Sequence, residues 1–248
     1  MILRAEFYRF VRNGVLPALL IIAIGMNALA VYGTSSELES VPVTTAEINE
    51  ARTLDLVRLG FGANLFSLLY GALSVTRDFG NNVVGRVRLH AGGSGRLLAS
   101  RAVVVAPGML AFGLLGPAAA VLTAWIVLPS SGAEFAWSSK TTTVTAGIAV
   151  STVFAGYLGQ FVAWQTRKSL ITVIGLVAWT TLLESYIITL APTVGRMLPG
   201  GLGMAMMKDT GTTDEILSVS SGYVGYVLWL AALSVLALVR LRRTDLVA

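Results

Sequence analysis

The chain contains six long apolar stretches, and its arginines occur almost entirely in every second gap between them. Each stretch approaches or exceeds the ~18 residues that a helix needs to cross a hydrocarbon core about 30 Å thick. The sequence therefore predicts an all-α membrane protein with six transmembrane helices. The predicted spans comprise residues 14–33, 59–76, 102–128, 142–164, 169–190 and 222–239.

The basic residues predict how these helices are oriented. Lys and Arg concentrate in the cytoplasmic loops of multi-pass proteins. With the amino terminus inside, 13 of the 18 lysines and arginines fall on the cytoplasmic side, and most acids fall outside. We therefore predict a multi-pass protein of the plasma membrane with both termini in the cytoplasm. The basic residues on the outer side are Arg52, Arg58, Lys140, Arg196 and Lys208.

Composition excludes several other classes of protein. The chain is 55% hydrophobic and 12% charged, whereas charged residues make up about 25% of soluble domains. The net charge of +5 comes from residues scattered at helix ends, so no nucleic-acid partner is predicted. Cysteine is absent, which excludes disulfides and thiolate metal sites. The first apolar run is too long for the core of a signal peptide and is predicted to be a retained span.

Three segments outside the spans carry local predictions. Residues 1–12 alternate apolar and charged side chains at helical spacing, which predicts an amphipathic helix at the inner interface; a frayed polar lead-in is the alternative. Residues 44–58 are predicted to be helical. The segment 191–221 is rich in Pro, Gly and Met, and its first half is predicted to be a short re-entrant or interfacial helix. A flexible exterior loop is the alternative.

Two patterns within the spans predict how helices pack. Pro107 and Pro117 in the third span predict a tilt, a kink or local unwinding. In the fourth span, Gly147, Ser151 and Ala155 recur at four-residue intervals, a pattern that lets helix backbones approach closely. Such a pattern also arises by chance.

Polar side chains within the spans are the candidates for a substrate pathway. Glu184 is the one acid inside a predicted span, and a carboxylate in lipid is costly unless it faces protein, water or a partner. It is either functional or a structural acid that is protonated or solvated at the interface. Near the inner end of the fourth span, Gln160, Trp164 and Gln165 predict an anchor at the lipid headgroups. The pathway candidates are Asn27, Asn64, Tyr70 and Glu184.

The sequence contains no recognisable catalytic or metal-binding motif. It lacks a phosphate-binding loop, a Gly-x-Ser-x-Gly elbow and a His-Glu-x-x-His motif. His90 has no Cys, Asp or second His at metal-ligand spacing. We therefore expect no catalytic residue, no metal and no cofactor in this chain, and we do not expect it to be an enzyme.

With this layout, the chain resembles the permease subunits of ABC-2-type transporters, including small permeases of bacitracin and lantibiotic self-protection. The resemblance covers nearly the full length and is most informative at residues 76–84 and 93–101. Members typically have an acid at the end of the second helix and a basic residue opening the third, which Asp78 and Arg101 match in kind. Residues 197–200 are similar to a Leu-Pro followed by small residues that the family often places after the fifth helix.

The resemblance implies a single transmembrane permease domain over residues 1–248, in which the cytoplasmic segment 77–101 contains a coupling helix that docks onto a separate ATPase. On charge alone, the segment is better explained as a solvated basic loop that obeys the orientation rule. Asn82 and Val83 stand where Gly-Thr is usual in the family. The implied coupling residues are Asp78, Asn82, Val83, Arg86, Val87, Arg88 and His90.

The resemblance also implies the partners. These are an ABC ATPase, expected in two copies, a second permease chain that is identical or related, and membrane lipids. ATP and Mg are expected on the ATPase and not on this chain. The implied function is ATP-driven export of an amphipathic or hydrophobic compound, such as a drug, an antimicrobial peptide or a lipid-like molecule, with antibiotic resistance as its outcome. The alternatives are a membrane assembly protein without transport activity and, with least support, an intramembrane enzyme that uses Glu184.

Overall fold

The computed structural model describes residues 14–37, 45–80, 84, 93–208 and 216–243, and every regular element in these ranges is a helix. Six helical stretches are long and apolar enough to cross a membrane, which confirms the predicted all-α fold with six candidate spans. The predicted helix at 1–12 lies outside the described residues, as do Asn82, Val83, Arg86, Val87, Arg88 and His90. The helices are α1 (Val15–Glu37), α2 (Ala46–Arg58), α3 (Ala63–Gly80), α4 (Ser94–Val127), α5 (Ser139–Thr166), α6 (Ser169–Val177), α7 (Glu184–Leu190), α8 (Pro192–Gly195), α9 (Pro199–Met206) and α10 (Val219–Arg243).

The second span is longer than the sequence predicts. The predicted helix at 44–58 forms as α2, which begins where the Thr45 hydroxyl accepts a hydrogen bond from the backbone N–H of Ile48 at 3.4 Å. A 3-10 turn at Leu59–Gly62 then joins α2 to α3, so that helical structure continues to Gly80. One face of α2 is buried against the bundle, which holds this polar helix in place.

The helices α3 and α5 form the most closely packed pair of the bundle. A Cβ built at Gly71 of α3 would overlap the carbonyl oxygen of Gly156, and a Cβ built at Gly159 of α5 would overlap the carbonyl oxygen of Leu68. Only glycine lets the two backbones approach this closely. The two helices therefore meet backbone to backbone.

The spacing of small residues in the fourth span is confirmed as a packing pattern. Gly147 lies against the end of α9, where an added Cβ would be 2.5 Å from the carbonyl oxygen of Met206. Ser151 and Ala155 are buried on the same helix, and Ser151 accepts a hydrogen bond from the side chain of Asn64 on α3. The pattern therefore places α5 at the centre, between α3 and α9.

The third span does not unwind at its prolines. The helix α4 continues from Ser94 to Val127 through both Pro107 and Pro117. Beside Pro117, α4 is joined to the neighbouring α1, where the Asn27 side-chain amide donates to the carbonyl oxygen of Gly116 at 3.3 Å.

The fifth span and the segment after it consist of short pieces. A π-helical segment at Ala178–Leu183 separates α6 from α7. The chain then turns back through α8 into α9, whose residues are largely buried between α5 and α10. The first half of the 191–221 segment is therefore helical and packed, which excludes the flexible exterior loop.

Candidate functional site

A cavity of about 300 Å³ is bordered by α3 and α5. Its remaining walls come from the π-helical segment, α9 and α10. Most of the lining is apolar, and Glu184 is the one charged residue among the described residues that line it. The polar lining residues are Asn64, Thr180, Thr181 and Glu184, and the larger apolar and aromatic ones are Phe61, Leu65, Leu68, Leu158, Trp179 and Tyr226.

The π-helical segment and α9 together position Glu184. It is the first residue after the wide turn of the π-helix, and it is 3% exposed. One carboxylate oxygen, Oε1, accepts a hydrogen bond from the backbone N–H of Gly200 at 2.5 Å. A Cβ at Gly200 would lie 2.9 Å from the Glu184 Cδ, so glycine leaves the room for this contact. The burial excludes an acid solvated at the surface.

The same contact gives Glu184 a structural role at the beginning of α9. The first N–H groups of a helix have no partner within the helix. Leu198, which precedes α9, provides no side-chain oxygen for them. The Glu184 carboxylate accepts one of these N–H groups, that of Gly200, which lies 16 residues later in the chain. Its negative charge is also favourable at the helix amino terminus. Glu184 therefore both caps α9 and borders the cavity.

On the facing wall, Asn64 joins α3 to α5. Its side-chain oxygen accepts a hydrogen bond from the Thr152 hydroxyl, and its amide nitrogen donates to the Ser151 hydroxyl at 3.3 Å. The hydroxyls of Thr180 and Thr181 donate to backbone carbonyls one turn earlier in their own helix, at 2.8 and 2.7 Å. The hydroxyl donors of these three threonines are thus already used within the protein.

The cavity opens towards the side of the bundle. Its inner wall is buried at Leu68 and Tyr226, whereas Trp179 is 36% exposed and Thr181 is also exposed. The next residues, Leu182 and Leu183, project large apolar side chains from the bundle. The mouth therefore lies on the apolar flank of the fifth span, the surface that faces lipid in a multi-pass protein.

The structure brings together two of the four predicted pathway residues, Asn64 and Glu184. Asn27 instead contacts Gly116 of α4, as described above. The ring of Tyr70 occupies the space that a side chain at Gly108 would need and packs against Phe112, with ring centroids 5.5 Å apart. Both residues hold α4 against its neighbours and do not line the cavity.

The sequence does not predict the cavity residues on the π-helical segment, α9 and α10. The predictions include Gly200 only as part of a Leu-Pro motif, and they do not include Trp179 or Tyr226 as pathway residues. No spacing rule connects residues 184 and 200, because their contact depends on how the chain turns between α7 and α9. The one available signal was the buried acid itself, which requires a partner.

A buried ion pair lies at the other end of α3, here called the arginine-rich end because it carries Arg77, Arg101 and Arg167. The Arg101 guanidinium of α4 lies 2.7 Å from the Asp78 carboxylate, and both side chains are 10% exposed. The pair fixes the end of α3 to the beginning of α4. Asp78, a predicted coupling residue, thus forms an ion pair within the chain.

Close to this ion pair in sequence, aromatic contacts join the end of α3 to the end of α5. The Arg167 guanidinium lies over the Phe79 ring, 5.5 Å from its centroid, and Phe79 packs edge-on against Trp164 at 5.4 Å. Trp164 is 1% exposed. The predicted headgroup anchor is therefore wrong, because Trp164 binds α5 to α3 and not to the membrane surface.

Among the described residues, no group of three His, Cys, Asp or Glu side chains lies close enough to hold a metal ion. No protein-family model matches the chain, and no curated protein matches it in sequence. These comparisons therefore give the chain no family, and the cavity and the ion pair are the features from which a function has to be argued.

Proposed function

We propose that the chain is the membrane-spanning subunit of an ATP-driven exporter in the plasma membrane, with ABC-2 permease architecture. It moves an amphipathic or hydrophobic compound, such as a drug, an antimicrobial peptide or a lipid-like molecule, and has no enzymatic activity of its own. Six candidate spans and a cavity that opens on the apolar flank support this proposal. A compound dissolved in the membrane reaches such a mouth without crossing water.

The path of α3 is the observation that carries the proposal. This helix has 18 residues and is about 27 Å long. One of its ends carries Asp78, which the ion pair with Arg101 fixes at the base of the connection to α4. Near its other end, Asn64 lines the cavity. A force applied to the α3–α4 connection is transmitted along α3 to the cavity, because packed helices move as rigid bodies.

ATP hydrolysis is assigned to a partner. We propose that two ABC ATPase subunits bind ATP and Mg and dock at the arginine-rich end, through residues 77–101 of this chain and of a second permease chain, identical or related. Both termini and the arginine-rich end then face the cytoplasm, as the distribution of Lys and Arg favours.

Orientation is tested first, because the natural sequence contains no cysteine and single-cysteine variants give an unambiguous label. Ser130→Cys and Ser169→Cys place exposed thiols at opposite ends of the bundle. In intact cells, a membrane-impermeant maleimide should label Ser130→Cys at once and Ser169→Cys only after the cells are opened. The reverse pattern would refute a cytoplasmic arginine-rich end.

Association and transport are tested next. The chain is purified together with candidate ATPases, including any encoded beside it, and reconstituted in vesicles. We expect a stable complex whose ATPase activity drives uptake of an amphipathic dye into inside-out vesicles. Substitutions at Arg86 and Val87 should weaken the complex at least tenfold, whereas substitution of the outer-side Lys140 should not. A chain that binds no ATPase would instead be a membrane assembly protein.

A further inference from the structure

Glu184 is a carboxylate with an incomplete set of partners. Its Oε1 accepts the Gly200 N–H, but among the described residues no Lys or Arg forms an ion pair with it. The amino terminus of α9 supplies only about half a unit of positive charge. A carboxylate buried to 3% exposure beside apolar walls is costly without a full counter-charge. A positive group that enters the cavity would complete the site.

The other lining residues determine which kind of cation fits. Phe61, Trp179 and Tyr226 are aromatic side chains, whose ring faces attract organic ammonium groups. A metal ion of the Na⁺, Mg²⁺ or Ca²⁺ kind requires about six oxygen ligands. The side chains of the cavity offer one free carboxylate oxygen and the hydroxyl oxygens of Thr180, Thr181 and Tyr226, which are fewer than six, while the Asn64 oxygen is already bonded to Thr152. The lining therefore favours an organic cation over a metal ion.

The size and the apolar walls restrict the rest of the ligand. A volume of about 300 Å³ is at the lower limit for pockets that hold drug-sized molecules. Leu65, Leu68 and Leu158 provide an apolar wall for a hydrocarbon or aromatic body. A folded peptide is too large for this space, and an anion would lie beside the Glu184 carboxylate.

We propose that this cavity is a binding site for a small monovalent organic cation with an apolar body, and that Glu184 is its counter-charge. The further statement that such cations are substrates of the exporter rests on the function proposed above. Binding itself requires neither the ATPase nor a second chain.

The test uses the purified chain in nanodiscs, without an ATPase, and radiolabelled benzyltrimethylammonium as the probe. Neopentylbenzene, its neutral isostere, and 3-phenylpropionate, an anion of similar size, are the competitors. Glu184→Gln is the variant of choice, because its side-chain oxygen still accepts the Gly200 N–H. Glu134→Gln is the matched control, since it removes the same charge from an exposed position away from the cavity.

We expect saturable binding to the natural chain and to Glu134→Gln, and at least tenfold weaker binding to Glu184→Gln. Both competitors should displace the probe at least tenfold less well than unlabelled benzyltrimethylammonium. Absence of saturable binding to the natural chain, equal binding to a monodisperse Glu184→Gln protein, or equal displacement by either competitor would overturn the proposal. If Glu184→Gln does not fold, displacement of the probe from the natural chain by the neutral and anionic competitors decides whether the proposal stands.

This binding test, taken together with the transport assay on the reconstituted complex, separates the site from the exporter. Cation binding without ATP-driven transport in the reconstituted complex would retain the site and refute the exporter. ATP-driven transport of a neutral compound, combined with no cation binding, would retain the exporter and refute the site.

Discussion

The two sides of α3 differ sharply in how they are packed. Towards Gly156 and Gly159, the α3 and α5 backbones approach so closely that a single added methyl group overlaps a carbonyl oxygen. Towards the π-helical segment and α9, the same two helices border a cavity of about 300 Å³ with a buried carboxylate in its wall. The first side fixes the position of α3, and the second leaves room for a ligand.

This difference separates residues that determine stability from residues that determine function. Protein interiors are close-packed, so a contact without free volume transmits displacement directly. A cavity lined by a charged group reduces stability and is retained where it serves binding. We therefore expect substitutions on the closely packed side to cost much more free energy of unfolding than substitutions on the cavity side, as the following predictions state from the largest effect to the smallest.

The largest effect is expected for Gly71→Leu. Even the Cβ of a new side chain would overlap the Gly156 carbonyl oxygen, and backbone atoms cannot move aside as the end of a flexible side chain can. We expect the protein not to reach its folded, monodisperse form in detergent, as measured by size-exclusion chromatography. Gly25→Leu on α1 is the matched control, because no atom lies within 4 Å of its Cβ position and the residue is exposed. Equal behaviour of the two variants would refute the close contact.

The next effect concerns the ion pair that fixes the end of α3. In Asp78→Asn, the buried Arg101 guanidinium loses the negative charge of Asp78, which is expected to cost about 3 kcal/mol of free energy of unfolding. Asp55→Asn makes the same change in a pair on α2, where the Asp55 side chain is 65% exposed, and should cost less than about 0.5 kcal/mol. Unfolding titrations in SDS measure both. Similar losses would contradict a buried pair.

The packing of the fourth span could be predicted from sequence, whereas its closest contact could not. Gly147, Ser151 and Ala155 were recognisable because a four-residue interval returns to the same helix face. The contact between Gly71 and Gly156 has no such signature, since it depends on where two helices cross. The predicted position of Trp164 at the headgroups is wrong for a related reason. Trp prefers the membrane interface only on average over many proteins, and here its packing against the neighbouring Phe79 overrides that preference.

The cavity was predictable only in part. The buried acid and Asn64 were recognisable, because polar groups inside a span require partners. The contact of Glu184 with Gly200 was not, since it depends on the turn through α8, which no periodicity determines. The ion pair was present in the sequence only as two charges at the ends of predicted helices, and its burial follows from the packing of α3 on α4.

An intermediate effect is expected at Asn64, which belongs to both sides of α3. In Asn64→Leu, the buried Thr152 hydroxyl loses its acceptor, which is expected to cost about 2 kcal/mol in the same titration. Ser151 is affected less, since its hydroxyl also donates to the Ile148 carbonyl at 3.0 Å. Replacing Thr152 by Val as well removes the unpaired hydroxyl, so the double variant should recover at least half of the loss. A double variant that is less stable than Asn64→Leu would exclude this hydrogen bond as the cause.

The smallest effect on stability is expected at Glu184, the residue to which the proposed binding site is most sensitive. Glu184→Gln keeps an acceptor for the Gly200 N–H and removes a charge from mostly apolar surroundings. The two changes offset each other, so the free energy of unfolding should stay within about 1 kcal/mol of the natural chain or rise. Glu184→Ala removes the acceptor too and should lose about 1 kcal/mol relative to Glu184→Gln. A loss above about 3 kcal/mol in Glu184→Gln would mean that the carboxylate holds α9 in place by its charge, and the cavity side would then be as structural as the contact between α3 and α5.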